Sequence, residues 1–203
     1  MIMRTVDERS SNQKKHESRN PVQRALIRAF HDKAIELINR ARPTTILELG
    51  CGEGFVLSAL AEGGIEAELT GIDLSERAVR VARQRLGNRA TIEHRDAREL
   101  IEDGRKFDMV VMLEVLEHIP NPAQMLPILD RLSTGWLLLS VPWEPVFMAS
   151  NFLALKNIRR LGNDPDHVNH WGRRGFHNFI STHFDIIEMP IVFPWTMALA
   201  RTR

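Results

Sequence analysis

The chain has 203 residues, which is long enough for one complete hydrophobic core and too short for two well-formed domains. Hydrophobic residues make up 43% of it, charged residues make up 26%, and the formal net charge is +1. This balance is typical of a globular protein and gives no global electrostatic reason to expect a nucleic acid or a membrane as partner. The single cysteine, Cys51, excludes an intrachain disulfide and favours a cytoplasmic location.

The N-terminal part of the chain divides into two segments. Residues 1–20 are polar and lack apolar periodicity, which predicts a mobile leader. From Pro21 the apolar residues follow helical spacing, and this helix must end before Pro43. We therefore expect one domain over residues 21–203, in which residues 21–42 form an N-terminal helix that can act as a lid. No apolar stretch is long enough to span a bilayer, so no membrane span is expected.

Strand-like and helical segments alternate through the middle of the chain. The patterns predict strands at residues 45–49, 67–72, 90–94, 107–113 and 136–141, and helices at about 55–61, 75–86 and 123–132. Such alternation indicates a parallel sheet that is covered by helices on both faces. Two further strands, at residues 184–189 and 193–200, are joined through Pro190 and Pro194, which predicts a hairpin. The expected fold is therefore a Rossmann-like, doubly wound α/β sheet of seven strands, mostly parallel with one antiparallel strand near the C-terminus.

Residues 143–182 interrupt the strand–helix alternation. The patterns predict a helix near 146–160, a loop at 162–170 and a helix at about 173–183. Because this segment follows the fifth strand, we expect it to be an insertion on the substrate side of the sheet.

A turn with three glycines follows the first predicted strand. Gly50, Gly52 and Gly54 alternate with Cys51 and Glu53, and a helical pattern begins directly afterwards. Glycine lets bare backbone approach a nucleotide-like ligand, and the free N–H groups at the helix start can face that ligand. The third glycine stands one position too early for the dinucleotide fingerprint G-x-G-x-x-G.

An acidic residue stands at or near the end of each of the first four predicted strands: Glu48, Asp73, Asp96 and Glu114. One such acid could equally be a helix cap, but open parallel sheets bind ligands at the carboxyl ends of their strands. Asp73 is placed to bind a ribose diol. Glu48 and Glu114 would repel a pyrophosphate and suit a ligand with ammonium and sulfonium groups. The residues therefore predict S-adenosylmethionine as cofactor and disfavour NAD.

These motifs resemble those of the class I S-adenosylmethionine-dependent methyltransferases. The motifs at residues 46–54, 71–75, 95–97 and 107–118 carry the resemblance, which is close over about residues 44–142. It implies methyl transfer by in-line displacement, with S-adenosylhomocysteine as product. Such a reaction requires chiefly alignment of the donor and the acceptor.

The resemblance also implies a set of cofactor-binding residues. Gly50, Cys51 and Gly52 would approach the methionyl and ribose parts, and Glu48 would lie near the amino group. Asp73 would bind both ribose hydroxyls. The remaining implied contacts are Leu74 and Ala97 beside the adenine, Asp96 at the adenine amino group, and Leu113 and Glu114 on the methionine side.

The segment Glu114-Val115-Leu116-Glu117-His118 allows two interpretations. It is similar to that of the ubiquinone-biosynthesis O-methyltransferases, which implies that His118 lies near the reacting methyl group as a base or an orienting group. The spacing of Glu114, Glu117 and His118 is also similar to the metal-ligand spacing of the small-RNA 3′-terminal 2′-O-methyltransferases. A metal-assisted RNA methyltransferase is therefore an alternative.

The loop before Trp171 contains two further histidines, His167 and His170. Polar residues clustered in a loop over a ligand site indicate acceptor recognition, so either histidine is a candidate base. A rigid loop pinned by Asx-type turns, with a helix start near Trp171, is the alternative. Trp143, Glu144 and Trp171 are expected to border the acceptor. We expect a small-molecule acceptor, no nucleic acid, no catalytic metal, and a monomer or homodimer. A protein that binds S-adenosylmethionine without catalysis remains the second alternative.

Overall fold

The computed structural model describes residue 13, residues 16–144 and residues 168–203. The strands are β1 (Thr45–Leu49), β2 (Glu68–Asp73), β3 (Thr91–His94), β4 (Phe107–Leu113), β5 (Ser133–Pro142), β6 (Asp185–Glu188), β7 (Ile191–Val192) and β8 (Trp195–Arg201). The α-helices are α1 (Pro21–Ala41), α2 (Phe55–Glu62), α3 (Glu76–Leu86), α4 (Ala97–Glu102), α5 (Met125–Leu132) and α6 (Arg173–Ile180). The helix predicted near 146–160 and most of the predicted loop at 162–170 lie outside the described residues, as does most of the predicted leader.

One mixed sheet organises the molecule. Its strand order is β3-β2-β1-β4-β5-β8-β6, and the first five strands of this order are parallel. β8 runs antiparallel to both of its neighbours, β5 and β6. The predicted doubly wound sheet with one antiparallel strand is therefore confirmed. The two-residue strand β7, which pairs only with β8, is an addition that the sequence pattern did not predict.

The sheet is the middle layer of three. One core cluster joins it to α1, α2 and α3, and a second joins its other face to α4, α5 and α6. The central strands are apolar on both faces: Leu47 and Val110 point into one core, Ile46 and Val111 into the other, and all four are fully buried. A strand that is buried on both faces reads as a continuous apolar run, which explains why residues 107–113 were recognisable from the sequence.

Local signals fix the ends of the helices. The Asn20 side chain accepts a hydrogen bond from the Val22 N–H at the start of α1, and the chain leaves α1 through a left-handed Arg42 before Pro43. None of the helices in the described residues combines the length and apolarity that a membrane crossing needs.

Helix α4 was not predicted. Asp96 caps it by accepting from the Arg98 N–H at 2.8 Å, and the Glu99 side chain accepts from the Asp96 N–H at 3.1 Å. This is a capping box, whose D-x-x-E signature was present in the sequence. The helix has only six residues, too few for an apolar period to be visible.

Candidate active site

The glycine turn lies where the order of the sheet reverses, between β1 and its neighbours β2 and β4. The N–H groups of Gly50 and Cys51 both donate to the Ile72 carbonyl, at 2.9 and 3.0 Å. The Gly52 N–H donates to Oδ2 of Asp73 at 2.9 Å. The turn is therefore pinned to the end of β2. Gly50, Gly52 and Gly54 all have positive φ angles, of 73°, 51° and 76°.

Glu48 lies beneath this turn as a buried acid. It is 3% exposed, and within the described part of the chain its Oε2 atom has no hydrogen-bond partner. Burial, followed by the nearby Asp73 carboxylate, raises the pKa of Glu48 well above its ordinary value. Burial and the same two acids also raise the pKa of the Cys51 thiol, which disfavours its thiolate form. The buried carboxyl under the turn thus has an acceptor atom to offer and favours a positive ligand group.

The raised pKa of Glu48 makes a testable difference to stability. Above the pKa of about 4.3 of an unfolded glutamate, the unfolded chain releases this proton while the folded chain retains it. The free energy of unfolding therefore falls as pH rises towards the folded pKa. We expect Glu48→Gln, which has no proton to lose, to gain stability relative to the ligand-free wild type from pH 5 to pH 8. Urea unfolding at several pH values measures this, and a pH-independent difference would contradict it.

Asp73 ends β2 with both carboxylate oxygens turned towards the glycine turn and the start of α3. Its Oδ1 accepts from the Ser75 N–H at 2.8 Å, while Oδ2 accepts from Gly52. Each oxygen retains a second lone pair for a ligand hydroxyl. The next residue, Leu74, is a large apolar side chain that is 71% exposed. This side chain offers an exposed apolar contact at the carboxyl ends of the strands.

Asp96 and Ala97 lie at the same edge, at the start of α4. The Asp96 contacts with Arg98 both use Oδ1, at 2.8 Å to the backbone N–H and 3.4 Å to the guanidinium. Asp96 therefore caps the helix, which is a role that any single acid at the end of a strand can have. Ala97 is the partly buried first residue of the helix.

Glu114 follows β4 in a backbone conformation that side chains rarely adopt, with φ 60°. Its Oε1 accepts from the Ser140 hydroxyl at 2.9 Å, and Ser140 Oγ accepts from the Glu114 N–H at 3.1 Å. Ser140 lies on β5 and is fully buried. Strain of this kind persists where the surroundings fix it, and it is concentrated at functional sites. Leu113, the last residue of β4, is buried beside it.

The turn after Glu114 continues as a short 3₁₀ helix, Leu116–His118. The Glu117 side chain is 2% exposed, the His118 side chain is 45% exposed, and His118 Nε2 lies 4.0 Å from Glu117 Oε1. The described residues contain no group of three His, Cys, Asp or Glu side chains that could hold a metal ion. His167 lies outside the described residues. The described geometry therefore does not support the metal-assisted alternative.

Residues 168–171 cross the ends of β4 and β5 as a bridge. The N–H groups of Val168 and Asn169 donate to the Glu117 carbonyl at 2.9 and 3.1 Å. The Asn169 amide donates to the carbonyls of Leu116 and Ile119, at 3.3 and 2.6 Å. Sequence reasoning did not single out Asn169, because its partners lie about 50 residues earlier in the chain.

The other end of this bridge reaches the residues after β5. Trp171 pairs with Trp143, and its carbonyl accepts from the Glu144 N–H at 3.0 Å. Glu144 is 6% exposed, and its Oε1 lies 3.8 Å from Nδ1 of His170. The structure therefore brings His118, His170, Trp143, Glu144 and Trp171 to one part of the carboxyl edge.

An aromatic stack covers the start of α2. The rings of His16 and Phe55 lie 4.1 Å apart and nearly parallel, and the Arg85 guanidinium lies 3.7 Å from the Phe55 ring centroid. Phe55 directly follows the glycine turn, so the segment before α1 reaches the neighbourhood of this turn. The sequence pattern predicted a lid in residues 21–42 only and did not include the segment before them.

Comparison with known proteins agrees with this arrangement. A family model described as a methyltransferase domain matches residues 46–133. The ubiquinone biosynthesis O-methyltransferase of Nitrosomonas europaea is 36% identical over 111 residues, which are 52% of this chain and 46% of that protein. That of Aromatoleum aromaticum is 42% identical over 82 residues, 38% of this chain and 34% of that protein. The chain thus spans about half the length, or less, of these relatives.

The fold comparison covers more of the chain. The crystal structure of magnesium protoporphyrin IX methyltransferase from Synechocystis PCC 6803, with bound S-adenosylhomocysteine, superposes with a TM-score of 0.68. The two are 22% identical, and the match covers 91% of this chain and 88% of the other. Residues 46–133 therefore match a methyltransferase domain, and most of the chain shares the fold of the Synechocystis protein.

The family match covers one part of the carboxyl edge and not the other. Every predicted donor-side residue, from Glu48 to Glu114, lies inside the matched residues 46–133, as does His118. Trp143, Glu144, His170 and Trp171 lie beyond them. The part of the carboxyl edge that follows β5 is thus the part that the family model does not describe.

Proposed function

We propose that this protein binds S-adenosylmethionine at the glycine turn and transfers its methyl group to a small-molecule acceptor. The observation that carries the proposal is the buried Glu48 carboxyl beneath a left-handed glycine turn that Asp73 holds in place. Bare backbone accommodates a nucleoside, and the two acids suit a cationic ligand and repel a pyrophosphate.

The residues present fit this cofactor. Glu48 has a buried oxygen without a partner in the described structure, which an ammonium group would satisfy. Asp73 has lone pairs left for two ribose hydroxyls, and the exposed Leu74 side chain would gain an apolar partner in the adenine. Leu113 and the strained Glu114 would line the methionine side. Asp96 and Ala97 would border the adenine, in addition to the capping role of Asp96.

The chemistry of the reaction divides between cofactor and protein. Bound S-adenosylmethionine supplies a methyl group that is already activated on a sulfonium, and its in-line displacement leaves S-adenosylhomocysteine. The protein aligns the two reactants and excludes water, and it provides a base only if the acceptor carries a proton. Binding of the ammonium group would favour the ionised form of Glu48, because a cation stabilises the charged carboxylate.

The proposed acceptor side consists of residues that follow β4 and β5 at the carboxyl edge of the sheet. His118, His167 and His170 are the candidates for taking a proton, and Trp143, Glu144 and Trp171 are the candidates for contacting the acceptor. Residues 143–182 would form the insertion that shapes this side, and residues 21–42 the lid. We further propose that the protein is cytoplasmic, acts on no nucleic acid, and is a monomer or homodimer.

A small-molecule acceptor is favoured because the relatives named above are ubiquinone-biosynthesis O-methyltransferases. The net charge of +1 gives no global electrostatic reason to expect a nucleic acid as partner.

Ligand-dependent thermal unfolding tests the proposal. At a concentration of 100 times the dissociation constant, a ligand stabilises the folded state by about 2.7 kcal/mol, which raises the melting temperature of a chain of this size by roughly 5–10 °C. We expect this shift with S-adenosylmethionine and with S-adenosylhomocysteine, and none with NAD. Stabilisation by NAD alone would overturn the proposal. Stabilisation by both adenosyl ligands, with no methyl release across an acceptor library, would favour the binding-only alternative.

A further inference from the structure

One side chain, that of Arg85, holds the end of the glycine turn that leads into α2. Arg85 lies in the last turn of α3, and its Nε–H donates to the Glu53 carbonyl at 2.9 Å. The same guanidinium lies over the Phe55 ring, 3.7 Å from the ring centroid. Arg85 therefore fixes the residues on both sides of Gly54, whereas the first half of the turn is tied to the end of β2.

The Phe55 ring is covered on its second face as well. The His16 ring lies 4.1 Å from the Phe55 ring, centroid to centroid, and is tilted by only 12°. Two groups this close to one ring centroid would overlap if they shared a face, so His16 and Arg85 lie on opposite faces. The Phe55 ring is thus packed between them, which limits its movement relative to the guanidinium.

Gly54 itself packs on the same helix. A Cβ atom at Gly54 would lie 2.9 Å from Cδ1 of Leu86 and 3.1 Å from Cβ of Ala82, so the backbone of the turn lies directly against α3. This helix also begins three residues after Asp73. One helix of 11 residues therefore connects Asp73, which holds the first half of the turn, to Arg85, which holds the second half.

The two contacts of Arg85 depend on the planar shape of a guanidinium. Its N–H donors lie in the plane of the group, so its flat face can stack on Phe55 while its edge donates to Glu53. A lysine at this position would keep the positive charge, but an ammonium group has no flat face. Arg85→Lys therefore separates the effect of the charge from the effect of the geometry.

We infer that Arg85 is a positioning residue for S-adenosylmethionine, because it holds the second half of the glycine turn in the conformation that meets the ligand. This inference rests on the proposed function. Arg85 acts through the backbone of residues 53–55 and through the Phe55 ring. When the turn is ordered before the ligand arrives, the free-energy cost of ordering it does not reduce the affinity. Replacing Arg85 should therefore lower the affinity by disordering the turn in the ligand-free protein.

The first test measures the affinity for S-adenosylhomocysteine in the full chain by isothermal titration calorimetry. We expect Arg85→Lys to weaken binding by about 10-fold, because one stacking contact and one hydrogen bond from a charged group are lost. Urea unfolding confirms that the variant is folded at the temperature of the titration.

The matched control is Arg89→Lys. Arg89 directly follows the same helix, and its guanidinium donates to the carbonyls of Leu86 and Arg85, at 3.3 and 2.8 Å. Within the described residues, none of its hydrogen bonds reaches the glycine turn. We expect Arg89→Lys to bind S-adenosylhomocysteine with wild-type affinity. A loss equal to that of Arg85→Lys would assign the effect to the helix as a whole and overturn the inference.

The second test observes the turn directly. Labelling with nitrogen-15 glycine gives amide signals from the 12 glycines of the chain, which include Gly52 and Gly54. In ligand-free Arg85→Lys we expect these two signals to shift or broaden, and to return towards their wild-type positions with saturating S-adenosylhomocysteine. A purely structural contribution of Arg85 would lower the free energy of unfolding and leave both signals unchanged.

A double-mutant cycle tests whether Arg85 acts through the aromatic ring. Phe55→Leu removes the ring and keeps a bulky apolar side chain, so it should also weaken binding of S-adenosylhomocysteine. The double variant with Arg85→Lys should lose less affinity than the product of the two single losses, because both changes remove the same contact. Losses that multiply would show that the two side chains act independently, which contradicts the inference.

The measurements distinguish failure of the inference from failure of the proposed function. If the wild type and Arg85→Lys bind S-adenosylhomocysteine equally well, or if their ligand-free Gly52 and Gly54 signals coincide, Arg85 is not a positioning residue. If the wild type does not bind S-adenosylhomocysteine at all, the proposed function itself is overturned.

Discussion

Replacing Asp73 with alanine is expected to weaken S-adenosylmethionine binding by about 100-fold or more. A hydrogen bond to a charged group contributes about 1.5–3 kcal/mol, and Asp73 is placed to accept two from the ribose. The same change also removes the acceptor of the Gly52 N–H, so the glycine turn loses its tie to β2. Isothermal titration calorimetry with wild-type and Asp73→Ala protein measures the loss.

Two further variants make this result specific. Asp73→Asn keeps one side-chain oxygen and removes the charge, so we expect an intermediate loss. Asp185→Ala removes an exposed carboxylate that pairs with Arg203 on the far side of the sheet, and its affinity should equal that of the wild type. If Asp73→Ala bound S-adenosylmethionine with wild-type affinity, the ribose would have to bind elsewhere.

Gly50→Ala is expected to destabilise the fold by about 2–4 kcal/mol and to abolish measurable cofactor binding. The backbone at Gly50 has φ 73°, a left-handed conformation that costs an L-residue roughly 1–2 kcal/mol. A Cβ atom there would also lie 2.8 Å from Cγ2 of Val115, a contact that one of the two segments must relieve by moving. Val115 follows Glu114, so the movement would disturb the methionine side as well.

The chain offers a matched control for the strain alone. Gly64 has φ 75°, and a Cβ atom at that position would meet no heavy atom within 4 Å. Gly64→Ala should therefore lower the free energy of unfolding only by the cost of the left-handed backbone, roughly 1–2 kcal/mol. Urea unfolding measures this, and cofactor affinity should be unchanged. The double variant Gly50→Ala with Val115→Ala should recover the part of the loss that is due to the contact. Equal costs at Gly50 and Gly64 would contradict this account.

The donor half of the site was predictable from the sequence because its signals are local. Strands buried on both faces give continuous apolar runs, and the acids follow those runs within one or two residues. Glu48, Asp73 and Glu114 could therefore be placed at one edge without knowing any long-range contact.

Contacts between segments that are remote in sequence were less predictable. The Asn169 bonds join segments about 50 residues apart, and the Ser140–Glu114 pair joins segments 26 residues apart. Neither pair leaves a periodic signal. The left-handed backbone of Glu114 is also imposed by its surroundings, since glutamate has no intrinsic preference for that region.

The two cavities described below would not by themselves have located this site. A cavity of about 230 Å³ lies at the opposite, amino edge of the sheet, between Arg42, Trp136 and Arg201. Another of about 370 Å³ lies between α4 and α5, beside Ile101 and Ile128. The strand-end acids do not line either cavity. The chemistry of the carboxyl edge, and not the volume of a depression, identifies the site.

The position of β8 has a consequence for synthesis on the ribosome. β8 follows β6 in the chain but lies between β5 and β6, so β6 emerges before the strand that it must pair with. Until β8 arrives, the edge of β5 has no partner on that side, and an open, apolar strand edge is a template for pairing with other chains. The nascent protein therefore passes through an aggregation-prone stage that ends only when residues 195–201 enter the sheet, and chaperone dependence should be concentrated in that interval.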